Sequence, residues 1–157
     1  MKEKILEAFR DLGFKLEEEE GMGYCFNYEG LNLLYMYNEN DEEFLNIALP
    51  GIVEVEEDRM LQICALLEKI NSTLKYVKTY MLGNSVWLFY ERELFGEEDL
   101  MTVISRMILH LEAGLAFARK AMAEIEETMA NDSSDDAAVD GAEEIVAEEI
   151  ADDEDNE

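Results

Sequence analysis

Chemistry at neutral pH needs a titratable or nucleophilic side chain with a partner in reach, and the 157 residues offer few candidates. His110 is the one histidine, and it stands between Leu109 and Leu111, one position off an apolar seam. Ser105 and Glu112 share its segment at spacings that suit neither a nucleophile nor an orienting carboxylate, so it reads as a structural or exposed residue. Cys25 and Cys64 form no Cys-x-x-Cys and have no histidine nearby. Both fall in apolar runs, which predicts buried free thiols and a reducing compartment. Asn38, Asn40 and Glu42 alternate as in a calcium loop, but the central Gly is missing and the twelfth place falls to Leu49. Gly21-Met22-Gly23 precedes no helix, so it cradles no phosphate. No Gly-x-Ser-x-Gly, Walker or His-Glu-x-x-His pattern occurs. The reading is therefore no catalytic residue, no cofactor and no metal site. An enzyme with an unrecognised carboxylate pair is the competing class, and a strongly raised Asp or Glu pKa in a cleft is its mark.

Charge narrows the partners. Lys and Arg total 12 against 39 acids, a net −27. Thirteen of those acids and none of the bases lie from Asn131 onward, which leaves −14 on residues 1–130. Such a field repels phosphate backbones and anionic membranes, so neither nucleic acid nor membrane is expected. A basic protein partner is favoured, and an acidic binding partner for basic proteins is one functional reading. The N-terminus has no long apolar core and is no signal peptide by this reading, and no apolar run approaches the ~20 residues of a membrane span. The expected location is cytoplasmic.

The elements that must position any site centre on Glu97–Met129. Met101, Ile104, Ile108, Leu111, Leu115, Ala118, Met122, Ile125 and Met129 recur in steps of three and four, one apolar seam on one helix. At ~1.5 Å per residue it is about 50 Å long, against roughly 30–35 Å for a domain of this size. The distal turns are thus expected to overhang and to need another cover. Gly114 inside it predicts close approach of another helix, or a mild bend.

Before it, Lys2–Leu12 reads as a helix that stops at Gly13. Phe14–Leu49 reads as a meander, with Glu17–Gly21 an acidic turn, Glu29-Gly30 a tight turn, and Pro50-Gly51 the end. Glu56–Ser72 is a second helix with Met60, Ile63, Cys64, Leu67 and Ile70 on its buried face. Lys75–Met81 and Ser85–Glu93 form a hairpin around Gly83-Asn84. From Asn131 on, the acid-rich composition predicts a disordered tail, residues 131–157, beyond a domain of residues 1–130. Ile145, Val146 and Ile150 give it one short apolar stripe, a possible placeholder on the protein's own groove.

This order resembles the type III secretion chaperone-like fold, and within it the YbjN-like and Tir-chaperone-like families. The likeness rests on the junction Asn71-Ser72-Thr73-Leu74-Lys75-Tyr76-Val77, the strand Ser85-Val86-Trp87-Leu88-Phe89-Tyr90-Glu91 and the amphipathic helix from Leu100, and spans roughly residues 1–125. It implies a small cytoplasmic bacterial protein without a cofactor. The chaperone branch forms homodimers and binds extended client segments along apolar sheet and helix surfaces; the YbjN-like branch is a sensory or regulatory protein. The long last helix and the acidic tail depart from that pattern.

The resulting expectation is an α+β domain, an antiparallel sheet of five to six strands with three helices, one sheet face only partly covered. Its function is non-enzymatic protein binding, as a chaperone-like module or regulatory adaptor. The contact residues are Tyr35, Tyr37, Trp87 and Phe89 on the sheet and Leu115, Ala118, Met122, Ile125 and Met129 on the helix. A protein client or partner and a homodimer are the implied associations.

Overall fold

A computed structural model describes the backbone of residues 1–154 and the side chains of residues 1–134. Ile5, Ala8 and Phe9 stripe the first helix, α1 (Lys2–Asp11). Four strands follow: β1 (Glu17–Glu19), β2 (Gly23–Tyr28), β3 (Leu31–Met36) and β4 (Phe44–Glu54). A 3-10 turn (Glu57–Arg59) leads into α2 (Met60–Thr73), then come β5 (Val77–Leu82), β6 (Ser85–Glu93) and α3 (Leu100–Glu154). The six strands make one antiparallel sheet in the order β1-β2-β3-β4-β6-β5. This is the expected α+β architecture. Between β2 and β3, Glu29 (φ 46) and Gly30 (φ 84) are both left-handed, as a two-residue turn matched to strand twist requires. The side chain of Asn27 accepts the Gly30 N–H at 3.2 Å.

Three local expectations are corrected. Of the residues placed in the acidic turn, Glu17–Glu19 form the edge strand β1, Glu17 opposite Cys25 and Glu19 opposite Gly23, and only Glu20-Gly21 turn. Pro50-Gly51 does not end β4, which continues to Glu54 past a bulge between Leu49 and Val53. The ladder to β3 covers only Asn46–Ala48 on this strand, so from Pro50 on that side is an edge, where a missing N–H costs no ladder bond. Cys64 is exposed and Met60 is 36% exposed; the buried face of α2 is Ile63, Leu66 and Ile70.

All three helices pack on one side of the sheet. Phe9 of α1 lies 4.9 Å from Phe26 and 5.6 Å from Tyr35, ring to ring. From α3, Ile104, Met107, Ile108, Leu111, Leu115, Ala118, Ala121 and Met122 enter the same core. Two ion pairs fasten α2 and the 3-10 turn before it to α3: Lys69 to Glu124 at 2.9 Å, and Arg59 to Glu126. The expected overhang therefore starts later than the seam suggested, because α2 covers the helix as far as Met122, with Ile125 half-buried at its margin. Leu100–Ser134 is also long and apolar enough to cross a membrane by length and composition, contrary to the sequence reading, although much of its apolar stripe serves this core. Ile145, Val146 and Ile150 lie outside the residues whose side chains are described.

Gly114 faces the sheet and not another helix. A Cβ there would meet Leu88 Cδ1 at 3.4 Å and Val77 Cγ1 at 3.5 Å, ordinary contact distances. Gly114→Ala is thus expected to stabilise by up to about 1 kcal/mol through helix propensity. Gly114→Leu has no room and should destabilise by roughly 1–3 kcal/mol. Urea midpoints of the two variants moving in the same direction would refute this packing.

The start of α3 is later than Glu97 because a dense cap precedes it. Asp99 Oδ2 accepts from Thr102 Oγ1 at 2.6 Å, and Glu98 accepts the N–H groups of Phe95 (2.7 Å) and Gly96 (2.9 Å). The Phe95 N–H holds the Glu98 carboxyl below its ordinary 4.5, helped by the Gly96 N–H and by Arg92. A depressed carboxyl stabilises the fold fully above its unfolded value, and that contribution disappears as pH falls through the folded one. Glu98→Gln should therefore be less stable than wild type at pH 7, with the gap closing below about pH 4. A gap that stays constant from pH 7 to pH 3 in thermal melts would contradict the cap.

Candidate protein-binding surface

Period-two alternation divides the sheet into a helix-covered side and a bare one. Tyr24, Phe26, Leu33, Tyr35, Leu45, Ile47, Leu88 and Tyr90 face the helices. The other parity carries one continuous row across all six strands: Glu17, Cys25, Leu34, Ala48, Phe89 and Lys78, each opposite the next. Its middle is sealed although no described helix lies over it: Leu34 is 2% exposed, Ala48 and Phe89 0%. At Phe89 neighbouring aromatic side chains provide the cover. The Tyr80 ring stacks on Phe89 at 4.1 Å and 5°, and Trp87 lies 6.0 Å from Phe89 at 16°. Trp87 Nε1 donates to Ser85 Oγ at 2.9 Å, which fixes the indole. The result is an aromatic ladder, Tyr80–Phe89–Trp87, with Tyr80 exposed and Trp87 half-buried.

A second row runs beside the first: Glu19, Gly23, Met36, Asn46 and Glu91. Asn46 Nδ2 donates to Glu91 Oε1 at 2.9 Å, and Lys78 pairs with the same carboxylate. Asn46 Oδ1 is shut off from solvent and accepts no hydrogen bond. Here the surface dips into a cleft of about 640 Å³, floored by Met22, Met36 and Phe44 and rimmed by Glu39, Asp41 and Glu91.

The nine residues expected to touch a partner fall in different places. Trp87 and Phe89 belong to the bare side, with Phe89 beneath its neighbours. Tyr35 lies on the opposite side, 1% exposed below α1, and burial raises its phenol pKa so that it stays neutral. Tyr37 donates its hydroxyl to Glu42 at 2.8 Å, and Lys2 Nζ sits 4.5 Å above its ring. Leu115, Ala118 and Met122 are core residues, at 7%, 2% and 8% exposure, and present no free surface. Ile125 and Met129 are half-exposed and line a groove of about 280 Å³ with Ala65, Lys69, Glu124 and Thr128. The bare side and its cleft also present Tyr80, Met36, Met22 and Phe44, which the sequence reading does not single out as contacts. Tyr80 was within reach, since the Gly83-Asn84 turn sets it directly opposite Trp87.

His110 packs against two tyrosines, 5.2 Å from Tyr76 and 5.8 Å from Tyr90, which matches a structural histidine. Tyr76 is the centre of a left-handed three-residue turn, φ 68, closed by Val77 N–H donating to the Lys75 carbonyl at 2.8 Å. Among the described residues, hydrogen bonds hold the Glu98, Asp99 and Glu124 carboxyls below their ordinary values, the opposite of a poised general acid. Burial, then Glu19 and Glu17, push the Cys25 thiol up, away from a reactive thiolate. Among the described residues, no three His, Cys, Asp or Glu side chains converge to hold a metal ion.

No family model matches the chain. No curated protein matches it either. Among solved structures it is similar to YbjN from E. coli, a candidate transcription regulator, at 14% identity and a TM-score of 0.59, over 76% of this chain and 92% of that one. It is also similar to an uncharacterized protein from Methanothermobacter thermautotrophicus at 17% identity and a TM-score of 0.52, over 81% and 97% of the two chains. Identities this low bear on architecture alone, and on architecture the agreement is plain: the chain has a YbjN-like fold.

Proposed function

We propose that the chain is a non-enzymatic protein-binding module, chaperone-like or a regulatory adaptor, and that it docks its partner on the bare side of the sheet. One observation carries the reading: Tyr80 and Trp87 flank Phe89 on paired strands, with Tyr80 exposed and Trp87 half-buried. Large aromatic groups already held in place lose little freedom on binding and are frequent anchors of protein interfaces. The same face on a second copy makes a homodimer one form of the association. The acidic field of the domain argues against nucleic acid and anionic membranes as partners, and a cytoplasmic setting follows in this reading.

Substituting the ladder tests it. Molar mass by light scattering across a concentration series, and crosslinking capture from the native cell, are compared for wild type, Tyr80→Glu and Trp87→Glu. Both variants should keep the melting temperature within a few degrees while losing self-association or a captured protein. If neither measurement distinguishes the folded variants from wild type, the bare face is no docking surface. Binding that collapses between about 0.05 M and 0.5 M salt would instead favour an acidic partner for basic proteins, since apolar contacts resist screening.

A further inference from the structure

We infer that the cleft beside Asn46 takes a segment of a partner protein that combines a Lys or Arg side chain with apolar neighbours. The inference rests on the sheet face being a docking surface and adds the chemistry of what docks there. The floor supplies apolar contact: Met22 and Phe44 are 39% and 40% exposed, and Met36 joins them from the sheet. Methionine adapts to varied shapes, so this floor accepts more than one side chain. The rim supplies charge of a single sign. Glu39, Asp41 and Glu91 line the cleft, and no Lys, Arg or His does. Lys78 neutralises part of Glu91 from outside the cleft, while Glu39 and Asp41 lie exposed on the loop above.

Asn46 ties the cleft wall together: its amide nitrogen donates to Glu91 Oε1 at 2.9 Å and holds that carboxylate in place on the rim. An incoming ammonium or guanidinium brings the positive charge that the rim lacks. The surplus of acids on residues 1–130 draws such a segment in from a distance. Among the described residues no third metal-type ligand gathers here, so a cationic side chain fits better than a bare metal ion.

An acetylated, amidated peptide alternating Lys and Leu over seven residues is the probe, titrated into the full chain by calorimetry and amide NMR. Shifts should centre on Met36, Phe44 and Asn46, and a Ser-for-Lys peptide should bind at least about tenfold more weakly. The Glu39→Gln/Asp41→Asn pair should weaken binding about tenfold, while Glu3→Gln/Glu7→Gln, the same charge loss on exposed α1 positions, should change it less than about twofold. Equal weakening by both pairs would reduce the effect to diffuse attraction and overturn the site. Shifts confined to Tyr80 and Trp87, indifferent to Glu39 and Asp41, would also overturn it while leaving the docking face standing. No shift on either part of the sheet would overturn the cleft as well, while the docking face stands or falls on the molar mass and crosslinking of the Tyr80 and Trp87 variants.

Discussion

Gly23→Ala is expected to lower stability by about 2–6 kcal/mol, because strain and overpacking of ~1–3 kcal/mol each add at one residue. The residue opens β2 at φ +143, a region that side chains rarely enter. A Cβ there would sit 1.9 Å from the Tyr35 carbonyl oxygen and 3.1 Å from Met36 Cα, which are main-chain atoms of the neighbouring strand. No rotamer can relieve that overlap, so β2 and β3 have to part. Gly21→Ala separates the two causes. It also has a positive φ, 78, but nothing lies within 4 Å of its Cβ position, so only the backbone cost of about 1 kcal/mol remains. Urea unfolding of both variants gives the comparison, and equal losses would mean that the close strand approach is absent in solution.

Met122→Glu is expected to cost roughly 3–5 kcal/mol, what a buried charge without a partner costs. Met122 is 8% exposed in the same core as the α2 side chains, so the glutamate would have to enter an apolar interior. Met129→Glu, two turns on and half-exposed, should stay within about 0.5 kcal/mol of wild type. Thermal unfolding together with molar mass distinguishes the alternatives. A Met122→Glu protein that melts like wild type but changes its molar mass would place that residue in an interface between chains and not in the core.

The fold was legible because the periodicities are clean. The three-four steps of α3, the alternation in β2, the two apolar faces of β6 and the turns at Glu29-Gly30 and Gly83-Asn84 each specify their own geometry, and together they leave little choice of topology. The candidate site was legible only in part. A seam on a helix says which residues are buried but not by what, so Leu115 and Met122 read equally well as core or as interface until α2 is placed beside them. Parity along a single strand groups Trp87 with Phe89, yet it cannot say that Tyr35 belongs to the opposite side, because that depends on register across β3, β4 and β6. The cleft was invisible for the same reason. Met22, Phe44 and Asn46 are distant or unremarkable in sequence and meet only when the strands pair.

Each of the two outer strands of the sheet carries a feature that discourages a further strand. One is β1, three glutamates in succession. At the other, α2 sets the Asn71 amide against β5: its oxygen takes the Thr79 N–H at 2.8 Å and its nitrogen donates to the Thr79 carbonyl at 3.0 Å, as a neighbouring backbone would. Main-chain pairing, which accepts almost any extended peptide, is therefore denied to a visitor at that point. A ligand must be read by the shape and charge of its side chains, and a peptide whose backbone amides are methylated should bind as well as its parent.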